Sequence, residues 1–145
     1  MILGVGVDTV DIERIRKMLG EEPNLRKLGD RKEPSPSASE DPPFFRRVFS
    51  EAERAAAPQG RARAEYYAAR FAAKEAVFKA VAHLLPEKTF DLRLVETLHR
   101  EDGSPYVVMD GALREVYAAA GVGQIHISVT TEGQFATVFV IAESL

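Results

Sequence analysis

The chain opens on an alternation. Leu3, Val5 and Val7 fall on one side, and Ile2, Gly4, Gly6 and Asp8 on the other. This predicts a strand over residues 2–8, one face thinned by glycine and Asp8 at its end. From Ile12 the period changes. Ile12, Ile15, Met18 and Leu19 recur at helical spacing, with Asp8, Thr9 or Asp11 available as the N-cap. Residues 20–43 then lose all periodicity. Positions 30–43 hold four prolines, three serines and six charges, with Ala38 as the one apolar side chain besides proline. Such a stretch buries too little surface to offset its ordering entropy, so it is expected to be a flexible insertion.

Order is predicted to return at residues 44–49. Ser50 and Glu53 then have the spacing of a capping box, which starts a short helix ending near Pro58. A long alanine-rich helix, free of internal glycine and proline, is predicted from about 61 to 85. Strands follow near 90–98 and 106–109, joined by the turn Asp102-Gly103-Ser104-Pro105. A helix over about 111–120 ends at Gly121, and a hairpin pairs 124–130 with 135–142 through Glu132-Gly133. The order β-α-α-α-β-β-α-β-β, with local hairpins and segregated helices, argues for a single α+β domain over 1–145.

Composition narrows the chemistry. The 145 residues contain no cysteine, which excludes disulfides, thiolate metal sites and cysteine nucleophiles. The three histidines, His83, His99 and His126, are too widely spaced to form a ligand pair. A metal would therefore rest on carboxylates, which favours a hard ion such as magnesium. A net charge of −3 argues against a nucleic-acid partner. No apolar run reaches the roughly eighteen residues that span a bilayer. The first residues lack a basic flank, so they read as a strand rather than a signal peptide, and the cytoplasm is the expected compartment. Charge is nevertheless uneven. Between 12 and 32 lie Arg14, Arg16, Lys17, Arg26, Lys27, Arg31 and Lys32 against Glu13, Glu21, Glu22 and Asp30. This is either a solvated helix face or a docking patch for an acidic partner protein.

Three places hold polar groups that a plain core does not require. Asp8, at a strand end, is either an N-cap or a metal ligand on a rigid support. Glu75 and Lys79, four apart, share one helix face with Phe71 a turn earlier. They form either a surface ion pair, worth about 0.3–0.5 kcal/mol, or a cation-binding acid beside a phosphate-binding lysine. His126, Ser128 and Thr130 alternate with apolar residues and so line one face, either solvated or a row of donors for phosphate and ribose oxygens. Phosphoryl transfer needs an inventory of this kind, because the protein's task there is to place a cation and positive groups around developing charge.

Five fragments in this order resemble the small bacterial holo-acyl-carrier-protein synthases. Gly4-Val5-Gly6-Val7-Asp8, leading into Ile12-Glu13-Arg14, resembles that family's opening G-[IV]-D segment and Ile-x-Arg helix. Phe49-Ser50-Glu51-Ala52-Glu53 resembles F-[ST]-x-x-E. Arg70 through Ala80 matches R-[FW]-A-A-K-E-A-x-x-K-A. Gly103-Ser104-Pro105 resembles a G-x-P turn, and His126-Ile127-Ser128-Val129-Thr130 resembles H-[IV]-S-[IL]-[ST]. The resemblance implies the 4'-phosphopantetheinyl transferase fold, an antiparallel sheet packed with a long central helix. It implies transfer of phosphopantetheine from coenzyme A to a serine of an apo acyl carrier protein, in fatty-acid metabolism, with release of 3',5'-ADP. By the same resemblance, Asp8 and Glu75 would hold magnesium (or manganese in its place), and Asp8, Glu75 and Lys79 would carry the catalysis. Arg70, Lys79, Gly103, Pro105, His126, Ser128 and Thr130 would bind coenzyme A, and Arg14 and Ile15 would dock the carrier. The active site would lie between subunits of a homotrimer. Two features depart from the pattern. Thr131 stands where relatives commonly have a second histidine, and 20–43 is longer than the usual connection. A relative that binds coenzyme A or carrier protein without transfer is the alternative reading.

Overall fold

A computed structural model describes residues 1–20 and 41–145. Ten elements are described: β1 (Ile2–Asp11), α1 (Ile12–Met18), α2 (Pro43–Val48), α3 (Glu51–Ala56), α4 (Ala62–Val81), β2 (Thr97–His99), β3 (Pro105–Val107), α5 (Arg114–Ala119), β4 (Val122–Glu132) and β5 (Phe135–Ser144). Strands β1, β5 and β4 form an antiparallel sheet in that order, and β2 and β3 form a separate hairpin. Helix α4 lies across the inner face of the three-stranded sheet. The fold is α+β, as the order of elements predicts.

Strand β1 corrects the expected boundary, because it continues past Asp8 to Asp11. Pairing with β5 holds it out to Asp11 opposite Phe135, so the partner strand, rather than the first acid, sets its length. Asp11 is the cap of α1, its carboxylate accepting from Glu13 N at 2.9 Å. The two faces of β1 also divide unexpectedly. Gly4 and Gly6 face inward against α4, while the apolar side chains Val5 and Val7 remain half-exposed, at 51% and 50%.

The helix predicted over 61–85 is α-helical to Val81 and tightens to a 3₁₀ turn at Ala82–Leu84. Its inner face is almost entirely small: Ala64, Ala68, Ala72, Ala73, Ala76 and Ala80 are buried. Small residues allow the backbone to approach the sheet closely, and Ala136, Val138, Val140 and Ala142 of β5 complete the contact. The region 90–98 forms a 3₁₀ turn (Leu92–Leu94) and only then the short β2. There Asp91 caps the turn through Arg93 N, and that local bond prevails over strand pairing. The last predicted helix is shorter than expected, Arg114–Ala119, and the hairpin strands are longer.

Of the expected insertion, 21–40 lies outside the described residues. Its final residues are structured: Pro43 starts α2, in the position where a missing N–H costs nothing. Phe44, Phe45 and Phe49 pack with Phe71 and Tyr67 of α4, ring centroids 4.7–5.7 Å apart. Asp41 just before α2 is clasped by Arg54 (3.3 Å) and Arg63 (3.1 Å). The capping box is present as predicted, Ser50 Oγ accepting from Glu53 N and Glu53 Oε1 accepting from Ser50 N.

Candidate active site

The end of β1, the start of α1 and the middle of α4 converge on a cavity of about 540 Å3. Asp8, Asp11, Arg14 and Glu75 supply its polar lining, and Met18, Phe44, Phe71 and Phe135 much of its apolar wall. Asp8 reaches it because residues alternate across a strand: Gly4, Gly6 and Asp8 share the face turned to α4. Glu75 reaches it from the helix one turn after Phe71. Burial pushes the Glu75 carboxyl above the ordinary carboxylate range. The negative charge of Asp8 pushes it the same way, while Lys79 opposes both. Lys79 turns to the strand, donating to Asp8 Oδ1 at 3.1 Å and to Val7 O at 2.9 Å.

Asp8, Glu75 and Lys79 are therefore one electrostatic group, drawn from residues 71 positions apart in the Lys79–Asp8 case. Two hard oxygen donors facing one cavity, with the Asp8 charge disfavouring that of Glu75, suit a divalent cation. Among the described residues, no group of three His, Cys, Asp or Glu side chains is close enough to hold a metal unaided. The donor set thus fits an ion that takes two protein carboxylates and fills its remaining positions from phosphate and water.

The residues predicted to bind coenzyme A, Lys79 apart, lie elsewhere. Pro105 and His126 line a second cavity of about 200 Å3 between the β2–β3 hairpin and β4, with Arg100, Ser104 and Tyr106. Gly103 is at the tip of that hairpin with φ of +84°, a backbone region that suits glycine. Asp102 braces the same turn by accepting from Ser104 N and Oγ. His126, Ser128 and Thr130 do share one exposed face, as their alternation predicts, and His126 Nε2 lies 2.7 Å from Glu143 Oε2. Arg70 is in neither cavity lining; its guanidinium stacks 3.8 Å over the Tyr66 ring. Arg14 is exposed at the first cavity. Ile15, 2% exposed, belongs to the core and reaches the same cavity from beneath α1. The two cavities share no lining residue.

One residue of evident weight is missing from the sequence reading. Lys74, 1% exposed, donates to Glu53 Oε1 at 2.8 Å, Leu92 O at 3.0 Å and Val95 O at 2.7 Å. All three donors of its ammonium are thereby used. Burial draws its pKa down, and Glu53 draws it back up. Glu53 is both the capping-box acid of α3 and the counter-ion of Lys74, so a single carboxylate joins α3 to α4 one residue before Glu75. A glutamate closing a capping box, and a lysine on a helix face shared with the apolar Tyr67, Phe71, Val77 and Val81, are the signal the sequence offers.

The family model for the 4'-phosphopantetheinyl transferase superfamily matches residues 4–140. A holo-[acyl-carrier-protein] synthase of Anaeromyxobacter dehalogenans is 37% identical over 143 residues, covering 99% of this chain and 97% of that protein. The crystal structure of the holo-[acyl-carrier-protein] synthase from Neisseria meningitidis superimposes with a TM-score of 0.72 at 27% identity, over 99% of this chain and 100% of that one. The Bacillus anthracis synthase, solved in complex with CoA (3',5'-ADP), gives 0.67 at 27% identity, over 100% and 99% of the two chains. The chain, with its paired carboxylates and its sheet-spanning helix, belongs to the 4'-phosphopantetheinyl transferase superfamily, among the holo-[acyl-carrier-protein] synthases.

Proposed function

We propose that this chain transfers the 4'-phosphopantetheine group of coenzyme A to a serine hydroxyl of an apo acyl carrier protein. The observation that carries the reading is the meeting of Asp8, Glu75 and Lys79 at the first cavity. The serine oxygen bonds to the β-phosphorus, the bond to the bridging oxygen breaks, and 3',5'-ADP leaves. Asp8 and Glu75 would hold magnesium or manganese, which when bound neutralises phosphate charge. Lys79, half-exposed beside Asp8, would meet phosphate as a compact charge. Pro105 and His126, with Arg100 beside them, line a pocket suited to the nucleotide end of coenzyme A. Ser128, Thr130 and Gly103 border that region from the same strand and hairpin, and Arg70 is held ready by its stacking on Tyr66. Incubation with coenzyme A, magnesium and apo carrier protein is expected to add about 340 Da to the carrier, the mass of the arm. No gain at high enzyme concentration would leave the binding-only alternative.

The separation of the two cavities within one chain supports an active site completed by a second copy. The outer face of the sheet offers the surface for it: Val5, Val7 and Phe139 are half-exposed side by side. Apolar patches of this kind mark association sites. The resemblance implies a homotrimer, which this face would serve and which sedimentation equilibrium would report as three times the 16.0 kDa chain. Among the described residues, no helix is long and apolar enough to cross a membrane.

Carrier proteins are acidic in the family this chain resembles, and Arg14 stands exposed at the rim of the first cavity, with Lys17 exposed on the same helix. Arg14→Glu is expected to raise the Michaelis constant for carrier by at least about tenfold, a charge reversal at a steered interface. The constant for coenzyme A should hardly move. An unchanged carrier constant would place docking elsewhere.

A further inference from the structure

Beside the two carboxylates, β1 approaches α4 where a side chain is absent. A Cβ placed on Gly6 would lie 1.8 Å from the carbonyl oxygen of Ala76 and 2.7 Å from its carbonyl carbon. On Gly4 it would lie 1.9 Å from the carbonyl oxygen of Ala80. Both obstacles are helix backbone, which cannot step aside as a flexible side chain would. Gly6 is two residues before Asp8 on the same strand face, and Ala76 directly follows Glu75. The Gly6–Ala76 contact is thus the rung of the β1–α4 packing adjacent to both acids. Gly4–Ala80 is the next rung away, and the Lys79 bond to Val7 O ties the same two elements together.

We propose that Gly6 is a positioning residue for the Asp8–Glu75 pair: its bare Cα lets β1 descend onto α4 until the two carboxylates face one cavity. Gly6 touches neither substrate nor ion. It acts through the height of the strand above the helix, and a single methyl group at this position lifts Asp8 away from Glu75. The proposal rests on the reading of that pair as the cation site.

The test is calorimetric titration of the full-length chain with Mn²⁺, without coenzyme A or carrier, on wild type, Asp8→Asn, Gly6→Ala and Gly4→Ala. Asp8→Asn calibrates the assay. If it binds Mn²⁺ as wild type does, the cation reading of the pair fails, and the positioning role fails with it for that separate reason. If wild type alone binds, Gly6→Ala is expected to raise the dissociation constant by about tenfold or more, the loss typical when support of a metal ligand is disturbed. Gly4→Ala, with the same kind of clash one rung further off, should raise it less. A purely structural effect looks different: it lowers the number of sites per chain and leaves the dissociation constant of the folded fraction unchanged. Gly6→Ala with a wild-type constant overturns the proposal, whatever its stoichiometry. If Gly6→Ala yields no folded chain, Gly4→Ala decides by the same criterion, a raised constant supporting the proposal and an unchanged one overturning it.

Discussion

At pH 7 and without divalent cation, Glu75→Gln is expected to unfold at a higher temperature than wild type, while phosphopantetheinyl transfer falls about 10²–10³-fold, the scale of removing one preorganised charge-stabilising group. The gain in stability follows from the direction of the Glu75 shift. Burial, then the charge of Asp8, lifts its folded pKa above its ordinary value of 4.5. Between the unfolded and folded values the native state therefore binds more protons than the unfolded state, and stability falls as pH rises through that window. Once pH has passed the raised folded value the whole penalty is present. Glutamine removes it, so the difference between the two proteins should shrink on acidification. Added magnesium should reverse the ranking, because a ligand that binds only the native state raises the melting temperature of wild type and not of the variant. Thermal melts at pH 4 and 7, with and without magnesium, check each part. A Glu75→Gln chain that transfers at the wild-type rate, or that is less heat-stable without cation, would remove Glu75 from the role given to it.

Lys74→Met is expected to cost about 3–5 kcal/mol of unfolding free energy, the penalty for breaking a buried ion pair from one side. Methionine fills much of the volume but donates nothing. The carbonyls of Leu92 and Val95 lose their donor, and Glu53 is left mostly buried, with Ser50 N as its remaining partner in the box. Adding Glu53→Gln to Lys74→Met should recover part of the loss, since it removes the stranded charge. Chemical denaturation of the two single variants and the double variant measures this coupling. Additive losses, or a Lys74→Met chain as stable as wild type, would show that the clamp does not hold α3 and the 92–95 turn to α4.

The local signals of the sequence carried much of the fold. The alternation from Ile2, the Ser50–Glu53 box, the alanine run and the Glu132-Gly133 turn each act within a few residues, so a linear reading finds them. The errors arose where a distant partner decided. Strand β1 extends to Asp11 because β5 pairs with it there, and nothing in residues 8–11 announces that. The site shows the same division. That Glu75 and Lys79 share a face is a matter of helical period. That Asp8 joins them depends on how β1 crosses α4, which periodicity does not encode and the resemblance alone implies; the bond from Lys79 to Asp8 is visible only in the fold. Lys74 was the hardest to find. Lysine is rarely buried without a partner, and its three acceptors come from two separate segments that are polar or unremarkable in sequence.

The clasp of Asp41 by Arg54 and Arg63 gives the chain a fixed point of re-entry after position 40. On the other side, α1 closes with Leu19 N bonded to Ile15 O and Gly20 N to Lys17 O, so both shores are anchored by groups that belong to the folded body. Asp8 and Glu75 keep their places through contacts made within the described residues, and the grip on Asp41 is the fixture that returns the chain to them.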